Sequence, residues 1–158
     1  MNFCKKVYAG IFRPLEILIL IVVLHAMIIK LFWKPICWAV LISILSIMPA
    51  NDFDSQNWFT LPHQDKILHF IFYGIFSFLL LRSLLSYFNK SKPIWLLASV
   101  TFIIILSYGT IIEIVQDRFT ASRQGDIMDI VFNLAGCLIG ILLVFLLRFF
   151  RISSRIKE

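Results

Sequence analysis

The chain has 158 residues, of which 60% are hydrophobic and 15% are charged, and its formal net charge is +6. Its mean hydropathy of +0.91 lies outside the range of ordinary soluble domains. At this length, four or five membrane crossings of about 20 residues leave no room for a separate water-soluble domain. The sequence therefore predicts an integral membrane protein whose chemistry lies in its spans and short loops.

The basic residues and the cysteines exclude further classes of function. Lysine and arginine are scattered at the ends of apolar segments and form no patch interleaved with aromatic residues, so we expect no nucleic acid partner. Cys4, Cys37 and Cys137 form no CxxC pair, and the last two lie in apolar runs, where free cysteine packs as a small hydrophobic side chain. We expect no disulfide, no zinc and no cofactor.

Residues 1–30 form a hydrophobic extension that we expect to be helical. The apolar run before Lys30 is short and contains Glu16 and His25, and a crossing there would leave the preceding basic residues outside the cell. Three interpretations stay open: a span in an exceptional orientation, a helix lying at the cytoplasmic face, or a start codon placed too early, with Met27 as the native start. We favour a helix that is not a core span.

Four later segments are long and apolar enough to cross a bilayer. They are residues 31–48, with Pro35 in the opening turn, and residues 67–88, 95–115 and 127–147. Because a backbone in lipid must satisfy its own hydrogen bonds, we predict an all-α fold, with a compact bundle of four core transmembrane helices over residues 31–147. Residues 148–158 form a basic cytoplasmic tail.

The charge distribution orients this bundle. Basic residues precede the first span, join the second to the third, and follow the fourth, whereas loops 50–66 and 116–126 carry most of the aspartates. By the positive-inside rule, both ends of the core lie in the cytoplasm and the two acidic loops face outward. We expect the cytoplasmic membrane of a bacterium, with membrane lipids as partners.

Polar residues recur at helical spacing on two of the spans. At about 100° per residue, the fourth helix carries a stripe within an arc of roughly 80°. The stripe consists of Asp126, Asp129, Asn133, Gly136 and Gly140. The second helix carries a stripe within an arc of roughly 100°. It consists of Asp65, Lys66, His69 and Tyr73.

The third helix and a loop deliver polar groups to the same membrane depth. Glu113 and Gln116 end the third helix, and Arg123 lies in the loop that follows. Ionisable groups inside apolar spans are costly unless they face the bundle interior and find partners. We therefore predict one outward-facing polar cluster in the interior of the bundle.

These residues resemble the motifs of the VanZ-like membrane proteins over about residues 31–147. The resemblance begins with the Asp65-Lys66 pair and the His69-Phe70 pair. It ends with the long pattern R-x-x-D-x-x-D-x-x-x-N-x-x-G, which begins at Arg123. The resemblance implies a small helical membrane protein without an established catalytic activity, from a family associated with resistance to the glycopeptide teicoplanin.

Three functions of the cluster stay open, and the first is our main prediction. In the first, it binds a lipid-linked cell-wall precursor or an anionic lipid, with Arg123 and Lys66 meeting negative charge and Asn133 and Gln116 giving directional hydrogen bonds. In the second, His69 forms an acid-base pair with Glu113 or Asp129, or holds a divalent metal together with the acidic residues. In the third, the charges pair with one another, as a structural network or as part of a transport path.

Several of these residues also have a plain structural interpretation. Gly136 and Gly140 form a GxxxG pair, which is typical of close helix packing. Asp126 is a candidate cap for the fourth helix. Arg123 alternatively pairs with a carboxylate of the cluster instead of a ligand. The sequence assigns no catalytic residue, no metal ligand and no oligomeric state.

Overall fold

The computed structural model describes residues 2–47, 64–89, 91–119 and 126–156, which are helical apart from short turns. The helices of this part of the chain are α1 (Asn2–Ile47), α2 (Gln64–Phe88), α3 (Ile94–Phe119) and α4 (Ile127–Ile156). Each contains a segment that is long and apolar enough to cross a membrane: Glu16–Ile47, Asp65–Phe88, Ile94–Arg118 and Ile127–Arg151. The predicted all-α fold is confirmed.

Helix α1 runs through the position at which we placed the start of the first span. Its 46 residues are more than twice the roughly 20 that one crossing needs. Pro35 therefore lies inside the helix, and its predicted place in an opening turn was wrong. No glycine, asparagine or proline occurs between Leu15 and Trp33, so nothing in the local sequence ends the helix there.

The chain divides into two compact units, residues Met1–Trp33 and Lys34–Glu158. In the first unit, the large hydrophobic side chains from Ile17 to Leu24 are exposed, as in a helix whose sides face lipid. His25 Nδ1 donates a hydrogen bond to the Ile21 carbonyl oxygen of the same helix at 2.8 Å. The separate character of residues 1–30 stays a prediction.

In the second unit, the last turns of α1 are tied to α2 and α3 by polar contacts. Trp38 Nε1 donates to the carbonyl oxygen of Phe72 on α2 at 2.9 Å. The Tyr108 hydroxyl on α3 donates to the Ala39 carbonyl oxygen at 2.6 Å and, with its one hydrogen used, accepts from Ser43 Oγ at 2.7 Å. These bonds, none of which involves a charged group, hold residues 38–43 of α1 beside α2 and α3.

A tight turn makes α2 and α3 antiparallel neighbours. Asn89 adopts a φ of 36°, and its amide donates to the Leu85 carbonyl oxygen at 3.1 Å, which ends α2 in the left-handed conformation that asparagine tolerates. Pro93 then precedes α3. Because the turn is short, the start of α2 and the end of α3 lie at the same end of the bundle, which we call the polar end.

Helices α2 and α4 touch backbone to backbone through small residues. A Cβ atom at Gly136 would collide with the Phe70 carbonyl oxygen, and one at Gly140 would collide with Ser77 Oγ and the Gly74 carbonyl oxygen. Only glycine allows so close an approach at these two positions. We call this region the glycine contact; it comprises Phe70, Gly74 and Ser77 on α2 and Gly136 and Gly140 on α4.

Candidate functional site

A cluster of polar side chains fills the space between α2, α3 and α4 at the polar end. Its inner members are 6% exposed or less: His69, Tyr73, Glu113, Asp129 and Asn133. Its outer members, Asp65, Lys66 and Asp126, lie nearer the helix ends, and we call all eight residues the polar cluster. From Asp65 to Tyr73 the cluster descends about 12 Å along α2, well into a hydrocarbon layer about 30 Å thick.

The mouth of the polar cluster is an ion-paired link between α2 and α4. Lys66 Nζ donates to Asp126 Oδ2 at 2.6 Å and to Asp129 Oδ1 at 3.3 Å. The other Asp126 oxygen accepts from the Met128 amide at 2.8 Å and so caps α4. The Lys66 hydrogen bond, aided by that amide, holds the pKa of the Asp126 carboxyl below its ordinary value. Asp126 therefore both caps α4 and pairs with α2.

His69 lies at the centre of the cluster. Its Nδ1 is 3.0 Å from Asn133 Oδ1, and since an amide oxygen only accepts, Nδ1 carries the hydrogen in this arrangement. Its Nε2 is 3.9 Å from one oxygen each of Asp65 and Asp129, and Nδ1 is 4.0 Å from Glu113 Oε1. The imidazole is thus enclosed by carboxylates contributed by all three helices.

Three buried polar atoms of the cluster have no hydrogen-bond partner among the described residues. They are the Tyr73 hydroxyl, Glu113 Oε1 and Asn133 Nδ2. Gly109 lies against two of these side chains, since a Cβ atom there would be 3.1 Å from Asn133 Nδ2 and 3.2 Å from Tyr73 Cε1. An unsatisfied buried polar group costs about 1–3 kcal/mol. The cluster therefore offers a hydroxyl, a carboxylate oxygen and an amide donor that the described protein groups leave unused.

Of the remaining residues predicted for the cluster, Gln116 has a bond to α1 and Arg123 is not described. Gln116 Nε2 donates to the Ser46 carbonyl oxygen at 3.1 Å, so this side chain links α3 to α1. Arg123 lies outside the described residues, as does loop 50–63. Gly136 and Gly140 lie in the glycine contact, one and two turns below Asn133 on α4.

Four residues that shape the site were not predicted from the sequence. Gly109 lies one helical turn before Glu113 on α3, and this spacing of four was the available signal. Gly74 and Ser77 on α2 carry a small-residue spacing that marks the partner surface of the GxxxG pair. Tyr108 gave no pattern of its own, because its role depends on two oxygen atoms of α1.

Comparison with protein families supports the resemblance seen in the motifs. The family model VanZ/LLP1 matches residues 15–148, which extends the resemblance into residues 1–30. No curated protein and no solved structure matches the chain. The family match covers most of the chain, and each of the four described helices can cross a membrane. This integral membrane protein belongs to the VanZ/LLP1 family.

Proposed function

We propose that the polar cluster binds the polar headgroup of a cell-envelope lipid or lipid-linked cell-wall precursor. The observation that carries this proposal is the convergence of three buried polar atoms, on Tyr73, Glu113 and Asn133, that lack a hydrogen-bond partner among the described residues. They lie beneath a charged mouth, and this mouth is at the helix ends, where lipid headgroups are found. A headgroup entering through the mouth would supply the missing hydrogen bonds.

The donors and acceptors of the cluster favour a particular chemistry of headgroup. The Asn133 amide and the Tyr73 hydroxyl can donate to oxygen atoms, whereas the Glu113 carboxylate accepts from a hydroxyl or an amine. Lys66 already serves Asp126 and Asp129, so a phosphate would compete with two carboxylates for it. A headgroup rich in hydroxyl groups, such as a sugar or glycerol headgroup, fits this set better than a bare anion.

A tyrosine pair gives the test of this proposal. Tyr73→Phe removes a hydroxyl without a partner among the described residues, whereas Tyr108→Phe removes one that bonds Ala39 and Ser43. Native mass spectrometry of the detergent-purified protein should show one lipid retained by the wild type and by Tyr108→Phe. Tyr73→Phe should lose most of it. Equal retention in all three proteins, or no retained lipid in the wild type, would reject the proposal.

We place the mouth on the outer side of a bacterial cytoplasmic membrane, where cell-wall precursors are used. Support comes from the basic residues of the α2–α3 turn and of the segment after residue 147, which lie away from the polar end in sequence and favour the cytoplasm. A cysteine introduced at Ser91 should resist a membrane-impermeant reagent in intact cells, and one at Ser122, outside the described residues, should react. The native cysteines set the background, and the reverse pattern would invert the orientation.

The family resemblance adds a proposed consequence for glycopeptide sensitivity. If the retained molecule is a cell-wall precursor, expression of the protein should change the susceptibility of a host bacterium to teicoplanin. Tyr73→Phe should then abolish the change while the protein remains in the membrane at wild-type level. An identical effect of the wild type and Tyr73→Phe would separate the phenotype from the polar cluster.

A further inference from the structure

Three side chains at the mouth of the polar cluster have the composition and spacing of a metal site. One donor atom each of Asp65, His69 and Asp129 lies within 4.8 Å of the other two. Nε2 of His69 is 3.9 Å from Asp65 Oδ1 and 3.9 Å from Asp129 Oδ2. We infer that these three residues bind a divalent transition-metal ion of the Mn²⁺ or Zn²⁺ class.

The spacing is close to what one ion requires. When each bond is about 2.1 Å long, neighbouring donor atoms of one ion lie roughly 3 to 3.5 Å apart. The two separations from His69 Nε2 are 3.9 Å and all three donor atoms lie within 4.8 Å of one another, so side-chain rotations would bring the donors together around the ion. Asp65 is half exposed and lies in the first turn of α2, so a rotation of its side chain toward His69 takes place at the surface of the bundle.

The orientation of His69 is the independent observation that points to an ion. Metal-bound histidine usually donates its second ring hydrogen to a neighbouring oxygen, and here Nδ1 meets Asn133 Oδ1 at 3.0 Å. Nε2 then points between two carboxylates that are both beyond hydrogen-bond distance. With the ring hydrogen on Nδ1, the Nε2 lone pair faces two acidic oxygens, and a cation between them would be bound by all three groups.

The charges and the ligand types agree with this assignment. The described part of the cluster contains the carboxyl groups of Asp65, Glu113, Asp126 and Asp129 beside one lysine, Lys66. Lys66 contacts Asp129 through Oδ1, whereas Oδ2 faces His69 and is available to an ion. One imidazole with two carboxylates suits Mn²⁺ or Zn²⁺ better than Mg²⁺ or Ca²⁺, which prefer oxygen ligands alone.

The ion would also change what the proposed headgroup site can bind. Three protein ligands leave coordination positions open for a hydroxyl or phosphate oxygen of the headgroup. An added double positive charge would offset the excess of carboxylates that otherwise repels a phosphate. This last step rests on the proposed headgroup binding, whereas the metal site itself does not.

A titration of the full-length protein tests the metal site directly. Wild-type protein in detergent is stripped with chelator, dialysed, and titrated with Mn²⁺, with the free ion measured by electron paramagnetic resonance. We expect saturation near one ion per chain. Asp65→Asn should weaken the affinity about tenfold or more. The matched control is Asp117→Asn, which changes an exposed carboxylate at the end of α3 that does not belong to the group of three, and it should bind as the wild type does.

Two results would overturn the inference. One is a wild type that binds no Mn²⁺ stoichiometrically, and the other is an equal loss of affinity in both variants. If Asp65→Asn aggregates, pulsed electron paramagnetic resonance of the wild-type Mn²⁺ complex provides the test. The inference requires a coupling between the bound ion and an imidazole nitrogen, and its absence would reject the site. Native mass spectrometry of the chelator-treated protein, read beside the Mn²⁺ titration, separates the two proposals. Retained lipid without Mn²⁺ binding rejects only the metal site. Mn²⁺ binding without retained lipid rejects only the headgroup site.

Discussion

Helices α2 and α4 meet in two different ways along one interface. At the glycine contact their backbones approach so closely that a Cβ atom at Gly136 or Gly140 would overlap α2. At the polar end the same helices meet through long side chains, with Lys66 reaching Asp126 and Asp129. In one half of the interface the two backbones are in close contact, whereas in the other half buried donors and acceptors have no partner among the described residues.

The difference shows how a membrane protein can hold polar groups that do not satisfy one another. In lipid, helices gain little from apolar burial, so close packing of small residues is a main source of association. The glycine contact supplies that packing and fixes how far apart the start of α2 and the start of α4 lie. The packing at the glycine contact then holds the polar cluster in place, and the unpartnered donors and acceptors of the cluster are available to a ligand.

The largest expected effect comes from breaking the glycine contact. Gly136→Leu would force a side chain into the Phe70 carbonyl oxygen, which belongs to rigid helix backbone. Overpacking of this kind costs about 3 kcal/mol or more when the backbone cannot yield. We expect little monodisperse protein after detergent extraction and gel filtration.

The matched control places the same side chain on a surface that faces away from the bundle. Ser99 on α3 is exposed and bonds only the Trp95 carbonyl oxygen of its own helix among the described residues. Ser99→Leu should therefore give a wild-type yield. A stable Gly136→Leu protein would show that the glycine contact does not hold α2 against α4.

A smaller effect is expected from breaking the ion pairs at the mouth. Lys66→Met leaves the buried Asp129 without its cation, so the protein should unfold at lower temperature. Adding Asp129→Asn to Lys66→Met removes the stranded charge and should recover most of the loss. Thermal unfolding followed by circular dichroism in detergent measures both steps.

The exposed lysine of the turn between α2 and α3 provides the control for this pair. Lys92→Met removes the same charge far from the polar cluster in sequence and should leave the unfolding temperature unchanged. If the double variant is no more stable than Lys66→Met alone, Lys66 and Asp129 do not stabilise each other.

Replacement of the buried Tyr73 and of the half-buried Tyr108 should have different effects on stability. Tyr108→Phe removes hydrogen bonds to Ala39 and Ser43 and should lower the free energy of unfolding by about 1 kcal/mol. Tyr73→Phe removes a hydroxyl that has no partner among the described residues, so the lipid-free protein should be as stable as the wild type or slightly more stable. Unfolding of delipidated protein checks both values, and a large loss in Tyr73→Phe would mean that the protein itself satisfies this hydroxyl.

The 3.6-residue period of the α-helix was sufficient to predict which polar residues share one helix face. Spacings of three and four placed Asp129, Asn133 and Gly136 on one face of a helix, and in the structure all three face α2. A stripe of this kind is a local property of one helix, so it can be derived before any tertiary contact is known. The long apolar runs likewise predicted the helices, because lipid leaves a backbone few alternatives.

Tertiary contacts decided what the sequence could not. Gln116 ends α3 beside Glu113 in sequence, yet it bonds Ser46 on α1, because the rotation of α3 depends on its neighbours. Pro35 lies within α1, since proline in a membrane helix kinks more readily than it terminates when no other breaker is near. Which polar atoms would remain unpartnered depended on distances of a few tenths of an ångström, beyond the reach of any periodicity.

The smallest expected effect is a change in pH dependence at the mouth. The pKa of the Asp126 carboxyl is lowered from 3.8, chiefly by its hydrogen bond with Lys66, so folding favours the ionised form. Its contribution to stability is therefore present above pH 3.8 and is lost as the pH falls through the lower pKa of the folded protein.

The variant Asp126→Asn tests this pH dependence, because it keeps a side chain that can cap α4 but removes the titrating carboxyl group. Because Asp126 is 46% exposed, salt should weaken the effect. Unfolding temperatures measured from pH 5 downward should fall less steeply in Asp126→Asn than in the wild type, and the two slopes should converge at about 1 M salt. Identical slopes at low salt would show that the Lys66 pair does not contribute to folding.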